Sequence, residues 1–261
     1  MSSVIEVASW NVNSVRTRMP RIQAWLNEAK PTILCLQETK VEDALFPTEA
    51  FTSLGYNVVF HGQKSYNGVA ILSREPLTDT ILGFGGNNLN EQSRVITATT
   101  CGLRIINAYV PNGEALTSPK FAFKEEFYRH LTEYTATQLA AHPKLVLCGD
   151  FNIAADDRDV ANPARAVKDV LFTPAEQAWL QTLRENIPLN DSFRLVSEEA
   201  GVFSWWDYRS YARNPNAGMR IDYLFTSPAL KPHVTAVTHD LAERTQTQPS
   251  DHVPVTLKLT L

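Results

Sequence analysis

Short apolar runs that end in a carboxylate or an amide constrain this chain more than any other feature in it. "KLVLCGDFN" shows the pattern: Leu145, Val146, Leu147 and Cys148 are followed by Gly149, Asp150, Phe151 and Asn152. Four consecutive apolar residues with a β-branched member suit a strand buried on both faces, as in a parallel or sandwiched sheet. Further strand-like runs cover 4–12, 32–37, 56–61, 68–73, 94–100 and 103–110, with others in the second half. In open α/β sheets the carboxyl ends of such strands hold the ligand. Asp150 and Asn152 equally suit an Asx-turn that merely stops the strand, and this stretch alone leaves the two readings even.

Helical spacing is sparser. Ile22, Trp25, Leu26 and Ala29 repeat at helical intervals after Pro20, and Thr173, Pro174, Ala175 and Glu176 combine a capping box with proline at the first helical position. A long helix is expected over 120–141, with Phe123, Phe127, Leu131 and Tyr134 sharing its core face. The 261 residues are 44% hydrophobic and 20% charged, enough for a large core, and no linker, low-complexity segment or short repeat divides them. One domain over 1–261 is therefore expected.

Several function classes drop out. The start, MSSVIEV, has neither the basic lead nor the apolar stretch of a signal peptide, and no run reaches membrane-spanning length, which predicts a cytoplasmic protein. Cys35, Cys101 and Cys148 are odd in number and set in strand-like runs, so they read as core residues and not as disulfides or zinc ligands. "GFGGNN" lacks the lysine and hydroxyl of a P-loop and the spacing of a dinucleotide fingerprint. It reads as a turn, with "NNLNE" after it as a surface loop. A net charge of -4 argues against a broad basic field for coating nucleic acid but leaves room for a local basic groove.

The acid at Asp150 has company. "ILCLQETK" sets Glu38 just past an apolar run, "VASWNVNS" spaces Asn11 and Asn13 by two, "MRIDYLF" holds Asp222 in an apolar strand, and "PSDHVPV" brings Asp251 and His252 before the last strand. Plainer roles exist for each: Glu38 as a solvated helix-start acid, Asn11 and Asn13 as a turn, Asp251 as a cap. Asp222 is harder to explain away, because a buried acid between Ile221 and Tyr223 needs a partner, which His252 could supply. Carboxylate and amide oxygens without a cysteine–histidine cluster suit a hard cation, magnesium or manganese, and hence attack on a phosphoryl group.

In order along the chain, "SWNVNSVR", "LQETK", "GQKSYNGVAILS", "NAYVPNGE", "GDFNIA", "FSWWDYRS", "RIDYLF" and "PSDHVPV" resemble the exonuclease III class of abasic-site endonucleases, part of the endonuclease/exonuclease/phosphatase superfamily. The likeness spans nearly the whole chain. It implies an α/β fold, a four-layered α/β sandwich of two packed mixed sheets flanked by helices. By the same likeness Glu38 is the principal metal ligand, with Asn11, Asn13 and Asp251 near the ion directly or through water. Asp150 orients and deprotonates the attacking water, Asn152 and Asn112 hold the scissile phosphate, Tyr109 and His252 place donors near it, and Asp222 orients His252. By the same likeness Trp205, Met219 and Ile221 are expected to line an apolar pocket for a flipped, baseless sugar, although as residues alone they read better as core.

Two positions depart from the family pattern. Leu171 stands where relatives often carry glycine, in a loop, 162–171, that has no glycine at all. Met219 is softer than the tryptophan some relatives have there. The resemblance implies a magnesium-dependent phosphodiesterase of base-excision repair, with manganese able to substitute. Its substrate is double-stranded DNA, cut 5′ to abasic sites to leave a 3′-hydroxyl, with processing of 3′ ends. The Leu171 loop motivates an alternative, mainly a 3′-5′ exonuclease or 3′-phosphodiesterase. A non-catalytic nucleic-acid-binding regulator is the alternative of another class, against which the intact set of acids speaks. A monomer is the expected state.

Overall fold

The computed structural model describes residues 3–86, 89, 92–214 and 216–261. The apolar runs form strands β1 (Val4–Asn11), β2 (Ile33–Gln37), β3 (Asn57–His61), β4 (Val69–Ser73), β5 (Thr78–Leu82) and β6 (Val95–Thr100). The second half adds β7 (Leu103–Tyr109), β8 (Leu145–Asp150), β9 (Asn190–Asp191), β10 (Asp222–Thr226), β11 (Val234–His239) and β12 (Val255–Thr260). The helices are α1 (Val15–Ala29), α2 (Thr48–Thr52), α3 (Pro119–Ala141), α4 (Pro163–Ala166), α5 (Pro174–Asn186), α6 (Ser192–Val196) and α7 (Tyr208–Arg213).

Two six-stranded sheets result, ordered β11-β12-β1-β2-β4-β3 and β5-β6-β7-β8-β10-β9. Each is mixed. β1 runs parallel to β2 and β7 parallel to β8, and their other neighbours are antiparallel. The inner faces meet in a core of Val7, Cys35 and Ile71 against Ile105, Cys148 and Leu224. Outside the first sheet, Trp10, Leu34 and Leu36 pack on Ile22, Trp25 and Leu26 of α1. Outside the second, Ile106, Leu147 and Phe225 pack on Phe127 and Leu131 of α3 and on Leu180 and Leu183 of α5. Central strands covered on both faces explain why the runs are apolar without alternation. The four-layered α/β sandwich is the architecture expected.

Local differences have local causes. α1 starts at Val15, five residues before Pro20, because Ser14 caps it by accepting from the Thr17 N–H. The buried face of α3 is Lys124, Phe127, Tyr128, Leu131 and Thr135, with Phe123 and Tyr134 only partly buried at its flank. A fully buried lysine turned the expected stripe. The α5 capping box forms as expected, Thr173 and Glu176 bonding reciprocally. Gly83, Gly85 and Gly86 adopt positive φ, while Asn87, Asn88, Asn90 and Glu91 of the surface-loop reading lie outside the described residues. All three cysteines are free. Among the described residues no helix is long and apolar enough to cross a membrane.

Candidate active site

The parallel strands end at one rim. Asn11 closes β1, Glu38 follows β2, Tyr109 closes β7 and Asp150 closes β8, while Asp222 opens β10 and Asp251 and His252 lie in the turn before β12. Gly149 lets β8 reach this rim. Its φ is +138°, and a Cβ there would lie 1.9 Å from the Ala108 carbonyl oxygen of β7. Asn13, Glu38, Lys40 and Asn152 also adopt left-handed backbone, with φ between 43° and 58°. Such conformations outside glycine gather where a site demands them.

Asp150 is the hub. Its Oδ2 accepts from Asn11 Nδ2 at 2.9 Å and its Oδ1 from the Asn152 backbone N–H at 2.9 Å. Opposite, His252 Nδ1 donates to Asp222 Oδ2 at 2.8 Å, and Nε2 lies 3.7 Å from Asp150 Oδ2, beyond hydrogen-bond length. Burial pushes the Asp150 carboxyl up to about 7; His252 and the amide donors oppose that and Asp222 adds to it. For His252, burial disfavours the charge, but the Asp222 and Asp150 carboxylates outweigh it and raise the imidazole to about 10. A carboxyl poised near neutrality thus faces an imidazolium. Ser204 Oγ anchors the start of β10 by accepting the N–H groups of Ile221 and Asp222, and Trp10 Nε1 donates to the His252 carbonyl.

The asparagines hold each other. Asn112 Nδ2 donates to Asn152 Oδ1 at 3.1 Å, and Asn152 Nδ2 donates to the Val110 carbonyl at 2.8 Å. The Arg94 guanidinium lies 4.7 Å from the Tyr109 ring centroid and donates to its carbonyl. Burial and the Glu38 and Asp150 carboxylates push the Tyr109 hydroxyl well above its usual range, so it stays a protonated donor.

The ion-binding candidates form a second group beside Asp150. Lys40 Nζ lies 2.8 Å from Glu38 Oε1 and donates to Asn13 Oδ1 at 2.6 Å. Asn13 Nδ2 donates to Asp251 Oδ1 at 3.0 Å, Asn11 Oδ1 accepts the Asn13 N–H, and Trp205 Nε1 donates to Asp251 Oδ2 at 3.2 Å. Donors here are carboxylate and amide oxygens, and a protein ammonium already sits among them, so the residues fit a hard divalent cation. Asp150, Asp222 and His252 also bring three ligating atoms within 4.8 Å of one another.

Trp205 and Met219 exchange backbone hydrogen bonds of 2.9 Å and, with Leu171 and Asn112, line a cavity of about 360 Å³. Ile221, only 1% exposed, packs in the cluster with Trp205 and Met219 and does not line the cavity. A second cavity, of about 630 Å³, is also lined by Asn112, together with Tyr66, Arg94 and Tyr109. Leu171 is buried with φ +81°, a left-handed backbone that costs a branched residue about 1–2 kcal/mol.

Reading the sequence missed Arg94, Lys40, Lys124 and Arg220. Arg220 donates to both Asp159 oxygens at 2.7 and 2.9 Å and to Asp191 Oδ2 at 2.8 Å. Its signal was present: an arginine beside an apolar run, once buried, needs a partner for the same reason Asp222 does.

The sequence profile described as the endonuclease/exonuclease/phosphatase family matches residues 8–252. This chain belongs to that family. It is 37% identical over 259 residues to exodeoxyribonuclease III of Haemophilus influenzae, covering 95% of this chain and 97% of that protein. Among solved structures it is similar to the 3′ phosphatase NExo from Neisseria bound to a product DNA hairpin, at 40% identity and a TM-score of 0.93 over 98% of this chain and 99% of that one. An AP endonuclease from Archaeoglobus fulgidus is similar at 33% identity and a TM-score of 0.93, over 97% and 98%. The family assignment and the two-sheet sandwich therefore agree.

Proposed function

We propose that this family member is a magnesium-dependent DNA-repair phosphodiesterase, with manganese able to substitute. It hydrolyses the bond 5′ to abasic sites and processes 3′ ends. The observation that carries the reading is Asp150, pinned by Asn11 and facing the His252–Asp222 pair, beside the oxygen group of Glu38, Asn13 and Asp251. The relatives described as an exonuclease, a 3′ phosphatase and an AP endonuclease support DNA as the substrate.

Water held at Asp150 gives its proton to that carboxylate as its oxygen bonds to phosphorus, and the bond to the 3′ oxygen breaks with that oxygen taking a proton from solvent to leave as the 3′-hydroxyl. His252 Nε2–H, the Tyr109 hydroxyl, Asn112 and Asn152 serve the non-bridging oxygens, where negative charge grows in the five-coordinate state. Asp222 keeps the imidazole oriented and charged. Magnesium held by Glu38, with Asn11, Asn13 and Asp251 directly or through water, supplies positive charge beside the phosphate when bound. The cavity beside Trp205 and Met219 takes the baseless sugar, with Ile221 packed in the same cluster, and excludes a nucleotide that carries a base. In this reading the whole chain, 1–261, works as one domain, a cytoplasmic monomer.

Leu171 favours a second reading, in which 3′-end processing dominates. Its side chain lines the sugar cavity at a backbone conformation that suits glycine. A narrowed cavity disfavours a sugar flipped from within a duplex more than a terminal group. The test compares one duplex carrying a central abasic analogue with one carrying a 3′-phosphate. Leu171→Gly is expected to raise the ratio of internal to terminal cleavage about tenfold; an unchanged ratio removes Leu171 from specificity.

A further inference from the structure

Behind the two phosphate-facing asparagines lies a buried ion pair that the proposed chemistry does not use. Lys124 of α3 and Glu176 of α5 are both 0% exposed, with Nζ 2.5 Å from Oε1. The same ammonium donates to the main-chain carbonyls of Asn152 at 2.7 Å and Asn112 at 3.1 Å, so its three protons meet three acceptors. Its stem runs under Gly113, where φ is +95° and an added Cβ would lie 3.3 Å from the lysine Cδ. Glu176 is as fully committed. Oε1 also accepts the Leu171 N–H at 3.0 Å, and Oε2 accepts the Thr173 N–H and hydroxyl at 3.0 and 2.8 Å.

Stability does not account for this placement, because apolar residues of like volume stabilise a core as well as a buried ion pair does. What an apolar pair cannot do is hold two carbonyls and a peptide N–H at fixed positions. The geometry points to Lys124 and Glu176 as positioning residues that lock Asn112 and Asn152 at the scissile phosphate and tie that clasp to the Leu171 loop. The assignment rests on the proposed role of those two asparagines. A change in the Leu171 peptide therefore reaches the clasp through two hydrogen-bonded groups, and substrate choice and catalytic geometry are set together.

Two variants test it. Lys124→Met with Glu176→Gln removes both charges at once and so leaves none unpaired in the core, while Lys124→Arg keeps the charge with a head too broad for the same three acceptors. Both are expected to fold, as read by circular dichroism. Both should lose about 10- to 100-fold in kcat with KM within about threefold, since displacement of a positioned group by an ångström acts on the chemical step. The ratio of internal abasic cleavage to 3′-phosphate removal should also move. A reduced folded fraction lowers both rates equally and leaves that ratio fixed, so the ratio separates positioning from scaffolding. Wild-type kcat and ratio in either folded variant overturn the assignment, as does failure of both to fold, which makes the pair a scaffold element. Wild-type protein inert on both duplexes in magnesium contradicts the functional reading instead.

Discussion

Asp150 and His252 face each other across 3.7 Å; burial raises the Asp150 carboxyl, and the Asp222 and Asp150 carboxylates outweigh burial to raise His252. With Asp150 raised to about 7 and His252 to about 10, kcat should climb as pH passes 7 and fall as it passes 10. Asp150→Asn should lower single-turnover rate about 1,000-fold while abasic-DNA affinity in a gel shift holds. Near-native turnover in that variant removes the water-activating role. The pair also ties stability to pH. His252, raised above its unfolded value of about 6.5, contributes fully below that pH and loses its contribution as pH rises through about 10. The melting-temperature gap between wild type and His252→Gln should therefore narrow over that window; a gap constant with pH contradicts it. Asp150 acts in the same sense over a lower window: its carboxyl is neutral when folded but ionised when unfolded between about 4 and 7, so stability falls as pH rises through that range and the full cost is present above about 7.

Elements were legible where burial on both faces wrote an apolar run. β1, β2, β4, β6, β7 and β8 fall within two residues of the runs in the sequence, and so does β3, which is only half-buried at the sheet edge. β5 was not legible, because Thr78, Asp79 and Thr80 point at solvent and carry no pattern. α1 was cut short on paper by Pro20, which breaks a helix pattern but is tolerated here in a helix capped by Ser14. The α3 face was misread by one position because a lysine is not expected in a core until its glutamate, 52 residues away, is known. The acids of the site were legible as types at strand ends. Their assembly was not, since Asn11 meets Asp150 across 139 residues and only sheet order brings them together. Arg220 belongs to the same class, bonding Asp159 from 61 residues away. Arg220→Met leaves Asp159 and Asp191 buried without it and should cost about 3–5 kcal/mol in chemical denaturation. A loss under 1 kcal/mol contradicts its role as the buried tie between Asp159 and Asp191.

The two sheets share one plan: a parallel pair, β1 with β2 and β7 with β8, each flanked by antiparallel strands in the same order. Packing two such sheets face to face brings four carboxyl ends to one rim, which is why one site draws on residues from Asn11 to His252. The net charge is -4, and the two cavities that Asn112 shares carry both signs: Arg94, Lys120 and Glu114 line one, and Arg165, Asp169 and Asp207 the other. The most direct test is cleavage of a labelled duplex with a central abasic analogue and a 3′-phosphate, in magnesium or in EDTA, by wild type and by Asp150→Asn. The account predicts hydrolysis at one or both positions by wild type in magnesium alone, with EDTA or Asp150→Asn abolishing nearly all of it. Undiminished cleavage in EDTA or by Asp150→Asn, or an inert wild type in magnesium, contradicts it.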